Sequence, residues 1–478
     1  MKLSKSRLEG GAVESVEHVA FLTSKTLLEV GAAVGVWTVS GKRRSLLIPM
    51  DSAKNGADLG VGVLNVCHAF SRRAAALLNG LDAEVDLKVV AVGAGALGSQ
   101  VAMNLARAGW GRWTVIDQDD LLPHNLARHA LDGPLVGHPK APALAFRMNS
   151  LFMNTETATS ISTDVLRPGE EAGKLATALG AADVLLDLSA AVAVARHLAA
   201  AGSPARRISL FLSPSGEDLV LLSEDKSRMV RLDHLEMIYY LALAVEDSLD
   251  GHLTSDAGPL RYGLSCRDVS SRIPQETVAM FAGIGARAVR HAVVTEEASI
   301  RIWRADPASL GVLPVTIEPE AFKVERFGDW EVYVAPSVLR EVVSLREGKL
   351  PKETGGVLIG GIDHEHRAIF VMLALASPPD SEEWPTHYIR GCEALKARVS
   401  EIEDRTAMNL GYLGEWHSHP NGIGTEPSTA DARVFGWIAA HTLAEGKPPV
   451  MLIAGENHRV RLLVDTLDQE HLGVELCL

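Results

Sequence analysis

Apolar and polar positions along this chain fall into two alternating patterns. Short unbroken apolar runs mark buried strands: Val89 to Val92, Trp113 to Ile116, Asp183 to Leu188 and Arg207 to Leu212. Longer stretches with apolar residues at helical spacing accompany them: Ser99 to Ala108, Val192 to Ala201, and the strongly apolar Leu235 to Val245 and Val278 to Val294. A parallel sheet buried on both faces needs such continuous strands, joined by crossover helices. Residues 81–310 therefore predict a doubly wound α/β domain. Charge and proline at Asp306-Pro307, Pro314 and Glu318-Pro319-Glu320 predict a linker over 311–328. A second α/β pattern occupies 329–478. It reads as a helix from Pro336 to Arg346, strands at 354–360 and 367–375, a helix from Ile389 to Asp404, a strand through His417 and a helix after Ser428. Residues 1–80 hold apolar segments (Val36 to Val39, Ser45 to Ile48), a helix predicted over about Val63 to Leu78, and no recognisable chemistry in the first 60 residues.

Composition narrows the class. A chain of 478 residues suits two or three domains, and 47% hydrophobic with 22% charged residues suits soluble globular ones. Lysine and arginine total 46 against 60 acids, a net charge of −14 with no basic patch, so neither nucleic acid nor an anionic membrane is expected as a partner. No apolar run is long enough to span a bilayer, and Met1 to Gly11 has no apolar core of a secretory leader. Four cysteines, Cys67, Cys266, Cys392 and Cys477, form no C-x-x-C pair. That excludes a zinc ribbon and suits a reducing cytoplasm.

The strand Val89 to Val92 runs into Gly93-Ala94-Gly95-Ala96-Leu97-Gly98. Glycines there allow a tight turn and a close phosphate approach, and a helix N-terminus attracts the anion. Asp117, at the end of the next strand, is spaced to bind ribose hydroxyls. Alone this pattern defaults to a dinucleotide fold. The downstream residues depart from that default: Asp117-Gln118-Asp119, then Asn125-Leu126-Ala127-Arg128, then Gly137-His138-Pro139-Lys140-Ala141. Together these resemble the ThiF family of ubiquitin-activating adenylyltransferases. The resemblance implies Mg-ATP on Gly93, Gly95 and Gly98, ribose on Asp117, and phosphate contacts from Asn125, Arg128 and Lys140. The family's further arginine falls in His68-Ala69-Phe70-Ser71-Arg72-Arg73, on Arg72 or Arg73 or on neither. Its D-x-T-D-N segment reads Asp187-Leu188-Ser189-Ala190-Ala191 here, with Ala190 in place of a metal-contacting aspartate. Asp187 is then left to hold Mg²⁺, alone or with Asp119, or adenylation is lost. Cys266 follows this core in Gly263-Leu264-Ser265-Cys266-Arg267-Asp268, where it reads as a thioester-forming nucleophile or as a small apolar residue.

The densest chemistry lies near the C-terminus, in Gly414-Glu415-Trp416-His417-Ser418-His419-Pro420 followed by Ser428-Thr429-Ala430-Asp431. Alternation along a strand puts both imidazoles on one face. An aspartate one loop later closes a tripod, and two histidines with one carboxylate and an open position suit catalytic zinc. With Glu353 in Glu353-Thr354-Gly355-Gly356-Val357-Leu358-Ile359-Gly360, the set resembles the JAMM (JAB/MPN+) metalloproteases. The resemblance implies zinc on His417, His419 and Asp431, Glu353 as general base and Ser428 as oxyanion donor. The loop between His419 and Ser428 is one residue longer than is usual in that family.

Both halves resemble proteins that handle the carboxyl terminus of a ubiquitin-like protein. The chain is similar to bacterial fusions of an activating enzyme and a JAMM protease, found in conjugation systems associated with phage defence. That similarity implies a ubiquitin-like protein and a conjugating enzyme as partners, and a homodimer through the first half. Two other readings stay open: activation and processing of a sulfur carrier for cofactor or cysteine biosynthesis, and a non-adenylating scaffold that keeps only the protease.

Overall fold

The structure is a computed structural model describing residues 2–7, 11–46, 55–67, 69–152, 155–254, 260–261, 269–270, 272–466 and 469–477. It divides into two compact units, Met1–Phe70 and Ser71–Leu478. The smaller unit is a three-stranded antiparallel sheet of Lys2–Lys5, Ser15–Leu22 and Gly62–Asn65, with the helix Leu27–Ala33 and a hairpin of Trp37–Ser40 and Arg43–Leu46. The helix expected over Val63 to Leu78 is corrected: its first residues pair as a strand, and the helix spans Arg72–Leu78. Ser71 starts it, because the serine hydroxyl accepts the Ala74 N–H at 3.1 Å.

The larger unit contains two eight-stranded sheets. In order, the first holds Gly311–Ile317, Ser299–Asp306, Asp218–Ser223, Arg206–Leu212, Val184–Asp187, Val85–Val92, Trp110–Ile116 and Ala158–Ile161. The last five are parallel and the others antiparallel. Residues of one strand serve opposite faces, as the unbroken apolar runs require. Val89 and Ala91 pack with the helices Ala96–Arg107, Lys140–Asn149 and Gln275–Val294, whereas Val90 and Val92 pack with Ala172–Ala181 and Val192–Ala200. This is the doubly wound arrangement that the alternating pattern implies.

The second sheet runs Lys323–Phe327, Trp330–Val334, Ala368–Ala374, Gly355–Asp363, Gly411–Ser418, Val450–Ala454, Arg459–Thr466 and Gln469–Cys477. The helix Pro336–Lys349 lies against it. Gly356 is needed between strands, since a Cβ there would lie 2.0 Å from the Leu375 carbonyl oxygen. The expected helix from Ile389 to Asp404 is shorter, Leu395–Arg405, because His387–Ile389 pairs with Glu382–Trp384 as a hairpin.

The linker expected over 311–328 is also corrected. Gly311–Ile317 completes the first sheet and Lys323–Phe327 opens the second, leaving 318–322 between them. Pro314 sits on an edge strand, where a missing N–H is tolerated, and Glu318-Pro319-Glu320 falls in the short connector. Nor are the halves separate. The helix Leu232–Val245 is mostly apolar, with Asp233, His234 and Glu236 near its start, and is buried between both sheets. Val220, Leu222, Ile300 and Ile302 of the first half share one core with Tyr333, Ile359, Phe370 and Met372 of the second. Polar contacts close the seam. Arg196 donates twice to Glu236, at 2.9 and 2.7 Å, with Asp363 of the second half 3.8 Å away. Arg405 donates to the Leu243 and Glu246 carbonyls. No helix among the described residues is long and apolar enough to cross a membrane.

Candidate metal centre and glycine-loop site

The strands Gly355–Asp363 and Gly411–Ser418 are antiparallel neighbours, with Gly355 opposite His417. Glu353 and His419 lie just beyond the paired residues, two positions on from Gly355 and His417, and strand alternation carried that far brings Glu353 to the histidine side, where both imidazoles act on its carboxyl. That face is kept open by Gly355, where a Cβ would lie 2.4 Å from both the Trp416 carbonyl and the Tyr388 ring. Asp431 arrives from a different element, the helix Thr429–Thr442. Ser428 caps that helix: its hydroxyl accepts the Asp431 N–H at 3.2 Å, while Asp431 accepts the Ser428 N–H at 2.7 Å. The S-x-x-D spacing is thus a capping box, and it turns the carboxylate of Asp431 back over the histidine strand.

His417, His419 and Asp431 bring one ligand atom each to within 4.8 Å of the others. His417 Nε2 lies 3.2 Å from Asp431 Oδ1 and His419 Nε2 lies 3.4 Å from Oδ2. His417 Nε2 is buried and makes no well-aligned hydrogen bond although Asp431 Oδ1 stands beside it, and a metal between the two would satisfy both. His419 donates Nδ1–H to the Gly424 carbonyl at 2.6 Å, which frees Nε2 to ligate and fixes the ring. Burial alone would raise the Asp431 carboxyl, but His417, His419 and Ser428 outweigh it and hold the group well below the usual carboxylate range. The donor set therefore fits zinc. For Glu353 burial dominates and pushes its carboxyl up, with His419 and His417 opposing.

Motif reading misses Arg346. Its buried guanidinium donates to the His419 carbonyl at 2.8 Å and to Asn421 Oδ1 at 2.7 Å, bracing the backbone of one ligand. The only sequence signal is an arginine on an otherwise apolar helix face. Arg346→Met is expected to weaken zinc affinity about 10- to 100-fold, read by chelator competition, with the fold intact.

In the first half, Gly93 has φ +100°, and a Cβ there would lie 2.7 Å from the Leu188 and Ser189 backbone, so glycine is required. Gly95 and Gly98 enter the helix Ala96–Arg107. Asp117 accepts the Ala94 N–H at 2.6 Å and the Asp119 N–H at 2.8 Å, and its burial raises the carboxyl. It ties the glycine loop to the end of the next strand. Lys140 pairs with Asp119 at 3.0 Å, Asn125 accepts the Leu122 N–H, and Arg128 donates to the Ile273 carbonyl. All three are thus held by contacts within the protein.

Three expectations fare differently. Arg72 is buried and committed to Asp86 and to the carbonyls of Val85, Gly109 and Gly111, so it holds the domain together, and Arg73 is exposed. Asp187 is 2% exposed, with Ser189 and Ser209 hydroxyls on its two oxygens at 2.6 and 2.7 Å. With Ala190 beside it, it presents no open carboxylate for magnesium. Cys266 lies outside the described residues. Cys67, Cys392 and Cys477 are free and exposed.

His129, absent from the motif set, rivets the glycine loop. Its Nδ1 accepts the Leu131 N–H, so Nε2–H donates to the Ala94 carbonyl at 2.6 Å. Burial chiefly lowers its pKa to about 4. An unfolded histidine binds a proton below about 6.5, so this contact should lose about 3 kcal/mol of stability as pH falls from 6.5 to 4. Urea midpoints at pH 7.5 and 5 are expected to differ less in His129→Gln than in the wild type.

A family model described as the ThiF family matches residues 73–205, and one described as prokaryotic homologs of the JAB domain matches 335–464. A protein named CD-NTase/cGAS isopeptidase, from Enterobacter hormaechei subsp. hoffmannii (strain UCI 50), is 34% identical over 26% of this chain and 68% of its own length. From the same strain, a protein named ATP-dependent ubiquitin transferase-like protein Cap2 is 36% identical over 26% of this chain and 20% of its own length. A crystal structure of E. coli MccB with succinimide aligns at 14% identity and TM-score 0.34, covering 49% of this chain and 64% of that one. The chain thus spans about two thirds of the isopeptidase, a fifth of the transferase-like protein and under two thirds of MccB. By these matches the chain belongs, through residues 335–464, to the prokaryotic homologs of the JAB domain, and it carries a ThiF-family domain at residues 73–205.

Proposed function

We propose that the second half hydrolyses a peptide or isopeptide bond at the carboxyl terminus of a ubiquitin-like protein, and that the first half activates that carboxyl group with ATP. One observation carries the reading most: three ligand atoms within 4.8 Å, one of them without a well-aligned hydrogen bond, with a non-ligating carboxylate on the histidine side. Zinc held there would act as a Lewis acid and make water a nucleophile near pH 7. Glu353 takes the proton of the attacking water and returns it to the departing amine. The Ser428 hydroxyl, oriented by its cap, donates to the developing oxyanion. Arg346 keeps the His419 backbone in place.

In the first half, a carboxylate oxygen of the carrier attacks the α-phosphorus of ATP and the bond to pyrophosphate breaks, giving an acyl-adenylate. Backbone N–H groups of the glycine loop hold phosphate oxygens, and Lys140 and Arg128 offset charge on the leaving pyrophosphate. The names of the two Enterobacter relatives, one an isopeptidase and one a ubiquitin transferase-like protein, support a conjugation-type role. A homodimer, a conjugating enzyme as acceptor, thioester transfer through Cys266, a cytoplasmic site of action and a part in phage defence extend the same reading. The scaffold reading is favoured by one specific observation, the closed Asp187 beside Ala190.

Intact masses decide between them. The protein is incubated with a ubiquitin-like carrier, zinc and Mg-ATP, then measured with and without dithiothreitol. A shortened carrier plus an ATP-dependent, reductant-sensitive adduct is the expected result. Shortening alone, with no pyrophosphate exchange, would install the scaffold reading, and an untouched carrier would overturn the protease assignment.

A further inference from the structure

A cavity of about 270 Å³ opens where the first sheet meets the second half. Its floor is the carboxyl end of the parallel strands, with Asp187 and Ser209. Its walls include Val192, Phe211, Leu222 and Tyr240, and Ala407 and Asn409 come from the turn after the helix Leu395–Arg405. The lining is mostly apolar. Ligands of open α/β sheets bind outside the carboxyl ends of strands. The cavity abuts the glycine loop, because Asp187 pairs with Val92, and Leu188 and Ser189 stand against Gly93. Whole small-molecule sites run from roughly 300 to 1,000 Å³, so this one suits a side chain of a larger ligand.

Backbone strain converges on the same place. Ala190, Ala407 and Met408 have φ of +56°, +47° and +65°, values that alanine and methionine rarely adopt. Ala190 and Ala407 line the cavity, and Met408 stands between Ala407 and Asn409. The strained turn is held by Met408 N–H donating to the Glu403 carbonyl at 2.7 Å and by Asn409 Nδ2 donating to the Thr406 carbonyl. Strain of this kind persists where the surroundings impose it, and it clusters at binding sites.

We propose that this cavity takes a large apolar side chain lying within two residues of the carboxylate to be activated, so that the protease half supplies one wall of the first half's selectivity. The proposal rests on the adenylation reading for its substrate: a polypeptide whose carboxylate reaches the glycine loop passes this opening. A leucine there gains contacts that alanine lacks, and apolar subsites of this kind discriminate about 10- to 200-fold.

The test uses the full chain and two small probes, N-acetyl-leucyl-glycine and N-acetyl-alanyl-glycine, in saturation-transfer NMR. Asn409→Trp fills the cavity from one half, and Ala195→Leu, at a lining residue of the helix Val192–Ala200, fills it from the other, so a folding defect in one leaves the second to decide. Expected are strong saturation of the leucine methyls in the wild type, at least fivefold weaker signal in each variant that melts like the wild type, and little saturation of the alanine probe. Equal signals in wild type and variants, or none for the leucine methyls in the wild type, would overturn the proposal. Carrier-dependent pyrophosphate exchange is run alongside. Exchange without methyl contact removes the cavity and leaves adenylation. Methyl contact without exchange removes adenylation and leaves a carboxyl-terminal peptide site.

Discussion

Glu353→Gln is expected to lower hydrolysis of a carrier fusion by about 10²- to 10⁴-fold while zinc content stays stoichiometric. The reason is the division of labour in the site. His417, His419 and Asp431 converge on one point, while Glu353 lies two residues before the strand Gly355–Asp363, close enough to feel their charges but outside the ligand set. Glutamine keeps the shape and removes the base. Burial raises the Glu353 carboxyl, which brings it closer to the pH at which a base must release its proton again. Elemental analysis and initial rates on the same sample settle it. Unchanged turnover would take Glu353 out of the mechanism, and lost zinc would make it a ligand.

The second large effect is structural. Glu236→Ala is expected to destabilise the larger unit by about 3 kcal/mol, because Arg196 would be left in the seam with only Asp363 at 3.8 Å. Burial pushes the Glu236 carboxyl up, and the bidentate contact with Arg196 opposes it. Removing both charges, as Arg196→Met with Glu236→Leu, should recover most of the loss. Urea unfolding followed by fluorescence reads the midpoints, and an unchanged slope shows that the same surface unfolds. A midpoint within error of the wild type would mean that the pair is solvated in solution.

Much of the fold and of the metal centre is legible in the residues alone. Unbroken apolar strands and helical spacing imply the doubly wound half, and the H-x-H and S-x-x-D spacings fix their own geometry through strand alternation and a capping box. Three things are not legible, each for a physical reason. Gly311–Ile317 resembles a linker because, as an edge strand, it tolerates Pro314 and is followed at once by Glu318-Pro319-Glu320. Arg72 resembles a substrate residue, since a sequence does not show that three carbonyls and Asp86 surround a guanidinium. Arg346 and His129 act through backbone carbonyls, which have no residue signature. The apolar helix Leu232–Val245 is visible as a face seeking a partner, but its partner is the other half of the same chain.

That shared helix sets the terms on which the two halves coexist. A cut within 318–322 breaks one peptide bond and leaves a common core in place, so proteolysis there should not release a free protease. Expressed alone, either half would present Ile300 and Ile302, or Phe370 and Met372, to water. Dosage is therefore not tuned by separating the parts: the two halves arise, persist and are degraded in a fixed one-to-one ratio.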